Sequence, residues 1–516
     1  MKDLDLIIKG NIITVSNQQP RAEAVGIREG RIISVGTVNK VEAGAGKSAE
    51  VLDLTGKTAL PGFMDSHAHL MGTGKNRLGV NLTSVTTINE TLDRIRERAN
   101  TTPEGKLIYC PEYNRLQIAE KRFPTRQELD EITIRHPIWI SHFDGHFSMV
   151  NTPALRTTGF TAGMDGVETD GNGEPTGMLY DPAFPRGLSS RENFDDENEA
   201  MEALKLVTEE AASVGITTLF TKEGMENTEF ISRNLDKILV RIHHMVMCRG
   251  TDTDINDVIN ADFIKNPKCI AICADGSGSG HTAAMFEPYT NDPGTLGMLY
   301  YSDAEMYAFV EKAHQAGLQI SIHAESERTI AQVLWAYEKV LEKYPRKDHR
   351  HRIEHFEFPI WRQIKHASRI GVALAMQPMF TIVCGGPNLD YYRTYIGDVR
   401  VKRVQPFRSI LNEEVLVGGG SDTPVTRVNP IGGIYALLNH PNEEQRIDLH
   451  EAIEIFTINN AQIGFEEDIK GSIEPGKLAD FTVLAEDPYR VPHENIKDIK
   501  VEMTIVGGKV VYTRGK

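Results

Sequence analysis

Short apolar runs, rich in β-branched residues, alternate with longer segments of helical period through the middle of the chain. The runs are GITTLFT at 215–221, VRIHHMVM at 240–247, CIAICADG at 269–276, LQISIHAE at 318–325, RIEHF at 352–356, VALAMQP at 372–378 and VLVGGGSD at 415–422. Continuous apolar strands that alternate with helices are typical of buried parallel strands. With GFMDSH at 62–67 included, about eight strands are predicted, so we expect a closed (β/α)8 barrel, a TIM barrel. An open doubly wound sheet is the alternative.

The two ends of the chain have a different pattern. AVGIREGRIISVG predicts a hairpin that turns at Glu29-Gly30, and MTIVGGKVVY predicts one that turns at Gly507-Gly508. Neither end has enough apolar surface for a core of its own, so we expect both to pack together as one small β domain. The predicted domains are therefore 1–60 with 467–516 for the β domain and 61–466 for the barrel. A segment at about 71–210 is too long for one strand–helix unit and predicts an insertion over the barrel mouth.

Composition narrows the class of protein. The net charge of −16 argues against a nucleic-acid or anionic-membrane surface, since those need clustered Lys and Arg. The five cysteines include no C-x-x-C pair, which is typical of reduced thiols in a cytosolic protein. No apolar run approaches the roughly 18 residues that span a bilayer, and the first residues do not resemble a signal peptide. We expect a soluble cytoplasmic protein.

Two H-x-H motifs occur among the 17 histidines. His67 and His69 lie in GFMDSHAHL directly after an apolar run, whereas His349 and His351 lie among Lys and Arg in KDHRHRIEH. Chance alone predicts roughly half of one such motif, so spacing does not identify a metal site. From its charged context, we predict that the second motif lies in a solvated loop.

The position of the first motif favours a metal site, because the active sites of (β/α)8 barrels lie at the carboxyl ends of the strands. Residues i and i+2 of an extended chain point to the same side, so His67 and His69 can reach one ion, at about 2.0–2.1 Å if it is zinc. His323 ends LQISIH, His355 ends RIEH, and Asp422 ends VLVGGGSD. Five potential ligands at the mouth ends of four strands predict a metal site.

These residues also carry a resemblance to a known family. The matching stretches are ALPGFMDSHAHL, PIWISHFDGHFSMVNTPAL, GITTL, ADGSGSGHTAAM, IHAE, HRIEHFE, MQP, GGSDTPV and GSIEPGKLADFTVL. They resemble the amidohydrolase superfamily, in its amidohydrolase-3 or YtcJ-like branch, which includes N-substituted formamide deformylases. The resemblance implies a metal-dependent (β/α)8 hydrolase with a β-sandwich built from both termini. It further implies the four strand-end histidines as ligands, Asp422 as ligand and general acid/base, and His146 of the D-G-H motif near substrate.

The sequence departs from the family pattern in two places. Related members often carry a carboxylated lysine on the fourth strand, where it bridges two metals, but the matching position here is Ala271. Lys222 ends the second strand, from which D-aminoacylases supply a bridging cysteine. A carboxylated Lys222 is therefore a candidate bridging ligand, and a surface lysine beside a single metal ion is the alternative. His281 replaces an arginine that is common in relatives, and it is a second candidate for substrate binding.

The predicted reaction is hydrolysis of an amide-like C–N bond with one or two divalent metals, Zn2+ being the expected ion. A bound metal lowers the pKa of water from 15.7 towards about 7, and Asp422 would accept and later donate the proton. Deamination of an aminoheterocycle, metal-assisted C–C cleavage and a non-enzymatic barrel scaffold stay open as alternatives. The expected partner is a small-molecule substrate, and a homodimer is expected at the family level.

Overall fold

The computed structural model describes residues 4–44, 49–115, 117–143, 147–180, 197–265 and 267–515. The described residues form two compact units. One contains the chain up to His69 together with Thr208 onward, and the other is Leu70–Val207.

The strands, in chain order, are β1 (Leu6–Ile13), β2 (Arg21–Arg28), β3 (Arg31–Gly36), β4 (Glu50–Pro61), β5 (Phe63–Ala68), β6 (Ile108–Tyr113), β7 (Ile138–His142), β8 (Phe147–Val150), β9 (Val167–Thr169), β10 (Pro175–Tyr180), β11 (Ile216–Glu223), β12 (Arg241–Met247), β13 (Cys269–Cys273), β14 (Gln319–Ser326), β15 (Arg352–Phe358), β16 (Ala373–Met376), β17 (Val417–Gly419), β18 (Phe481–Leu484), β19 (Val501–Val506) and β20 (Lys509–Thr513).

The α-helices are α1 (Val38–Glu42), α2 (Leu70–Leu78), α3 (Ile88–Thr101), α4 (Arg126–Ile132), α5 (Thr152–Thr158), α6 (Glu197–Ser213), α7 (Met225–Arg233), α8 (Asp252–Asn260), α9 (Asp303–Gln315), α10 (Glu327–Lys343), α11 (Trp361–Ile370), α12 (Phe380–Val383), α13 (Asp390–Arg400), α14 (Phe407–Asn412), α15 (Pro430–Leu438), α16 (Leu449–Ile455) and α17 (Ile458–Ile463). Short 3-10 helices lie at Leu235–Lys237, Val401–Arg403, Glu443–Gln445, Pro488–Arg490 and His493–Asp498.

Eight parallel strands of the first unit form one sheet, in the order β5-β11-β12-β13-β14-β15-β16-β17. Every residue of β5, β11 and β15 is buried, as expected for strands that are covered on both faces. The two ends of the sheet meet where Ala68 bridges Thr423 and the Asp422 N–H donates to the His67 carbonyl at 2.8 Å. The sheet therefore closes, and the predicted (β/α)8 barrel is confirmed.

Both termini contribute to a second sheet in the same unit. Its seven strands have the order β20-β19-β18-β4-β1-β2-β3, and its core joins Ile8 and Ile12 to Phe481 and Val483. The predicted hairpins are present, with positive φ at Glu29-Gly30 and at Gly507-Gly508. Two successive positive φ values match the tight turns that connect twisted hairpin strands. The expected β module of both termini is thus confirmed, whereas the domain boundaries stay predictions.

The second unit has its own sheet and core. Its five strands have the order β6-β7-β8-β10-β9. Ile95 of α3 and Leu129 of α4 belong to one buried cluster with Tyr113 and Ile138 of the sheet. The predicted position of an insertion over the barrel mouth stays a prediction. In the described part of the chain, no helix is both long enough and apolar enough to cross a membrane.

Candidate metal centre

The first H-x-H motif and Asp422 lie together at the carboxyl ends of β5 and β17. His67 Nε2 is 3.1 Å from Asp422 Oδ1, and His69 Nε2 is 3.2 Å from the same oxygen. The ligand atoms of these three residues all lie within 4.8 Å of one another. The residues are therefore close enough to share one ion, as their spacing predicts.

The hydrogen bonds of the two imidazoles determine which nitrogen faces Asp422. His67 Nδ1 contacts Glu354 Oε2 at 2.6 Å, and His69 Nδ1 contacts the Lys222 carbonyl at 3.1 Å. Because a carboxylate and a carbonyl only accept, each Nδ1 carries a proton, and each ring in its neutral form directs a lone pair from Nε2 at Asp422. Two lone pairs that face one carboxylate oxygen repel unless a cation lies between them. Two imidazoles and a carboxylate are also a common zinc-binding set, so the residues fit a divalent metal.

The pKa shifts of the metal-free centre show which charges it stabilises. Burial alone would raise the pKa of Asp422, but the adjacent imidazoles of His67 and His69 hold it well below its usual range. Burial likewise acts to lower the pKa of His69, but the hydrogen bond and charge of Asp422 raise it above the usual value. Both shifts show that the site favours an anionic Asp422 with positive charge beside it, which a proton on His69 supplies without a metal and a bound cation would supply in its place.

His323 and His355 lie beside this group on neighbouring strands. Their ring centroids are 4.3 Å apart, and the His355 ring is 5.0 Å from that of His67. His323 Nε2 contacts the Gly276 carbonyl at 3.2 Å, and His355 Nδ1 is buried with no hydrogen-bond partner among the described residues. Burial and the charge of His323 lower the pKa of His355 well below its usual value, which favours the neutral, metal-binding ring. All five predicted strand-end residues thus meet at one barrel end, and their role as ligands stays a prediction.

Lys222 is buried on β11, the neighbour of β5 in the barrel. Its carbonyl holds His69, and its positive charge adds to the effect of burial in lowering the pKa of His355. Lys222 is 2% exposed, so the alternative prediction of a surface lysine is wrong. Metal bridging by a carboxylated Lys222 stays a prediction.

Of the two candidate substrate-binding residues, His281 and His146, the structure describes only His281. His281 has a positive φ of 55°, packs its ring 4.6 Å from Tyr289, and has its Nδ1 3.6 Å from Asp292 Oδ2. These contacts connect it to the segment after β13 rather than to the five strand-end residues. His146 lies outside the described residues, so both assignments stay predictions.

Two acidic residues at the centre were missed from the sequence. Asp65 Oδ1 accepts from the N–H groups of His67 and Ser421, both at 3.0 Å, and so joins the ends of β5 and β17. Glu354 holds His67 Nδ1. A signal for Asp65 was available, because 65, 67 and 69 share the period-two spacing that places side chains on one side of a strand.

The prediction of a solvated loop for His349 and His351 is wrong. They are 4% and 0% exposed. His349 Nε2 contacts the Ile370 carbonyl and His351 Nε2 contacts His314 Nδ1, both at 2.8 Å. The charged neighbour that suggested solvation, Arg350, instead forms ion pairs with Asp348 and Glu467 while the rings turn inward. This second motif belongs to a structural hydrogen-bond network.

Comparison with known proteins identifies the family. The family model Amidohydro_3, described as the amidohydrolase family, matches residues 50–512. The chain belongs to the amidohydrolase family. This membership confirms the resemblance inferred from the sequence, and with it the expected enzyme class of metal-dependent hydrolase.

Individual amidohydrolase-family relatives match over almost the whole chain. YtcJ of Bacillus subtilis (strain 168) is 27% identical over 98% of this chain and 98% of its own length. The N-substituted formamide deformylase of Arthrobacter pascens is 26% identical over 100% of this chain and 99% of its own length. An uncharacterized metal-dependent hydrolase from Pyrococcus horikoshii OT3 has a TM-score of 0.80 at 22% identity, over 95% of this chain and 99% of that chain. At that identity, the structural likeness supports the fold.

Proposed function

We propose that this amidohydrolase cleaves an amide-like C–N bond, with Asp422 as general acid/base. The observation that carries the proposal is the convergence of His67 Nε2 and His69 Nε2 on one oxygen of Asp422. His323 and His355 lie beside them and complete the proposed ligand set. Zn2+ is the proposed ion, because imidazole and carboxylate ligands suit it.

The proposed reaction divides the work between the metal and the chain. The metal, when bound by these residues, supplies a Lewis acid that lowers the pKa of water and polarises a carbonyl. Asp422 accepts the proton of the attacking water and later donates it to the leaving amine. Its lowered pKa keeps Asp422 ionised at neutral pH, and its 7% exposure screens the carboxylate from bulk water.

We propose an N-substituted formamide, or a related N-acyl compound with an apolar substituent, as the substrate class. The Arthrobacter pascens relative, named for deformylation of such formamides, supports this class. A Cβ at Gly276 would lie 2.9 Å from the Tyr300 hydroxyl, and Gly276 contacts His323 through its carbonyl. The aromatic side chain of Tyr300 therefore lies beside a residue that contacts the centre, which supports a substrate with an aromatic or apolar substituent.

A substrate panel tests the reaction type. Protein of measured metal content is reconstituted with Zn2+ and given formamides, N-acyl amino acids and aminoheterocycles. Release of formate and amine from the N-substituted formamides is the expected result. Ammonia release confined to the aminoheterocycles would instead establish the deaminase alternative.

A pair of matched variants tests the role of Asp422. Asp422→Asn should lower kcat by about 10²–10⁴-fold, the usual contribution of general acid–base catalysis. Asp480→Asn is the control, because Asp480 is a buried carboxylate that pairs with Arg241 at 2.7 Å and contacts no proposed ligand. An Asp422→Asn enzyme with full metal content and wild-type turnover would contradict the assignment.

The expected homodimer and cytoplasmic location are also proposals. Light scattering of the purified protein distinguishes a dimer from a monomer, and fractionation of the source cells tests the location.

A further inference from the structure

An ion pair is buried inside the barrel next to the metal centre. Arg352 and Glu354 are both 0% exposed, and Arg352 Nε donates to Glu354 Oε1 at 2.5 Å. Arg352 Nη2 donates to Glu354 Oε2 at 3.0 Å and to the Ser66 carbonyl at 2.7 Å. The Ser321 hydroxyl adds a bond of 2.7 Å to Glu354 Oε1. A charged pair this deep is costly to bury, so its position calls for a role.

Glu354 also contacts one proposed ligand. Its Oε2 lies 2.6 Å from His67 Nδ1, while His67 Nε2 faces Asp422. We propose that the Arg352–Glu354 pair is a positioning element, which fixes His67 as the Nδ1–H tautomer and thereby sets the affinity of the centre for its metal. The proposal rests on the proposed function only in taking His67 as a ligand, and it does not depend on the substrate.

The charge on Glu354 is what selects the tautomer. A carboxylate only accepts hydrogen bonds, so it requires a proton on His67 Nδ1 and leaves the Nε2 lone pair for the metal. A glutamine at this position could accept or donate, and the tautomer would no longer be fixed. Hydrogen-bonded carboxylates behind metal-binding histidines orient the ring and raise its basicity.

Arg352 holds both the Glu354 carboxylate and β5, the strand that carries His67. Its two bonds to Glu354 orient the carboxylate, and its bond to the Ser66 carbonyl holds the backbone directly before His67. The guanidinium also lies over the Phe220 ring of β11 at 5.7 Å. With the Ser321 bond, the pair therefore links four strands, β5, β11, β14 and β15, at the position where His67 must be aligned.

Zinc affinity measured without substrate tests the proposal. Wild-type protein, Glu354→Gln and the control Asp480→Asn are stripped of metal, and zinc binding is measured by competition with a chromogenic chelator. Glu354→Gln should bind zinc about 10–100-fold more weakly, the usual effect of losing such an outer carboxylate. Asp480→Asn, which disrupts the Arg241–Asp480 pair away from the proposed ligands, should keep wild-type affinity. The double variant Glu354→Gln/Arg352→Met is measured in parallel, because it leaves no unpaired guanidinium to disturb folding.

A spectroscopic signal separates positioning from a merely structural effect. Metal-free protein labelled with 15N-histidine should show a downfield N–H proton from His67 Nδ1, assigned by its loss in His67→Ala. That signal should also disappear or shift in Glu354→Gln.

Two results would overturn the inference. One is wild-type zinc affinity in a folded Glu354→Gln protein or in the folded double variant. The other is weaker binding with an unchanged N–H signal, because the loss would then not act through His67. A wild-type protein that binds no metal would instead refute the proposed function itself.

Discussion

Replacing His351 by phenylalanine should destabilise the protein and alter its response to acid. His351 Nδ1 accepts from the Ile320 N–H at 3.2 Å, and its Nε2 contacts His314 Nδ1 at 2.8 Å. His314 Nε2 in turn contacts the Tyr344 carbonyl at 2.8 Å. These acceptors assign every ring proton: His314 donates from Nε2, and His351 donates from Nε2 to His314. Both rings are thus neutral in the native state.

The magnitude follows from the groups that His351→Phe leaves without partners. Phenylalanine keeps a ring that can stack on Tyr337, whose ring centroid lies 5.3 Å from that of His351. It leaves the Ile320 N–H without an acceptor and His314 Nδ1 without a donor. Each buried, unsatisfied polar group costs about 1–3 kcal/mol, so the free energy of unfolding should fall by about 2–6 kcal/mol at pH 8. Total stabilities are about 5–15 kcal/mol, so the change is large.

The response to acid has a definite sign. Burial lowers the pKa of His314 and of His351, and the positive charge of Arg346 lowers both further. A histidine with a lowered pKa in the native state binds fewer protons there than when unfolded. Its contribution to stability is complete above the unfolded pKa of about 6.5 and is lost as the pH falls. His351→Phe removes one of these histidines, so its stability should fall less steeply below about pH 6.5.

Urea unfolding at about pH 8 and about pH 5.5 measures the loss of stability and its dependence on acid. The protein is metal-free, so that metal release does not contribute to the pH dependence. His493→Phe is the control, because His493 is exposed, and its stability should change by at most about 0.5 kcal/mol. A loss below about 1 kcal/mol at pH 8, or an acid dependence equal to that of the wild type, would refute the assigned hydrogen-bond network.

Three further predictions concern the metal centre. Gly420→Ala would place a Cβ 2.7 Å from the His67 backbone nitrogen. The substitution should therefore destabilise the protein by about 1–3 kcal/mol and lower its metal content. An unchanged metal content by elemental analysis would contradict this prediction. Lys222→Ala should lower the number of bound metal ions if a carboxylated Lys222 bridges them, and unchanged stoichiometry and activity would exclude that role. Removing the metal with a chelator should abolish hydrolysis. It should also lower the melting temperature, because a ligand at 100 times its Kd stabilises the native state by about 2.7 kcal/mol. Equal melting curves with and without chelator would show that the metal does not bind the native state selectively.

Much of the fold could be predicted because buried parallel strands are apolar along their whole length. The run CIAICADG predicts β13 at Cys269–Cys273, and VALAMQP predicts β16 at Ala373–Met376. The two hairpin turns could also be predicted, because glycine at 30 and at 507–508 tolerates the positive φ of a tight turn. The inward turn of His349 and His351 could not be predicted. Their charged neighbours suggested a solvated loop, and only the tertiary structure supplies His314 and the Ile370 carbonyl as partners.

The candidate site was predictable where the backbone is regular and unpredictable where it is not. His67 and His69 follow the period of two, so the sequence alone predicts that they share a side. Adjacent residues of a regular strand point to opposite faces, which would separate Glu354 from His355. However, His355 has a φ of 71° and Phe356 a φ of 48°, and the pairing register of β14 with β15 shifts there.

This departure allows neighbours to contact the same centre. Glu354 contacts His67 Nδ1, while the His355 ring lies 5.0 Å from the His67 ring. Asp422 also has a positive φ, 55°, which a residue with a side chain adopts at an energetic cost. Local rules fail most often at functional sites, where the surrounding structure stabilises a strained backbone. The irregular backbone at His355 and Phe356 therefore explains why the sequence HRIEH alone does not place Glu354 at the metal centre.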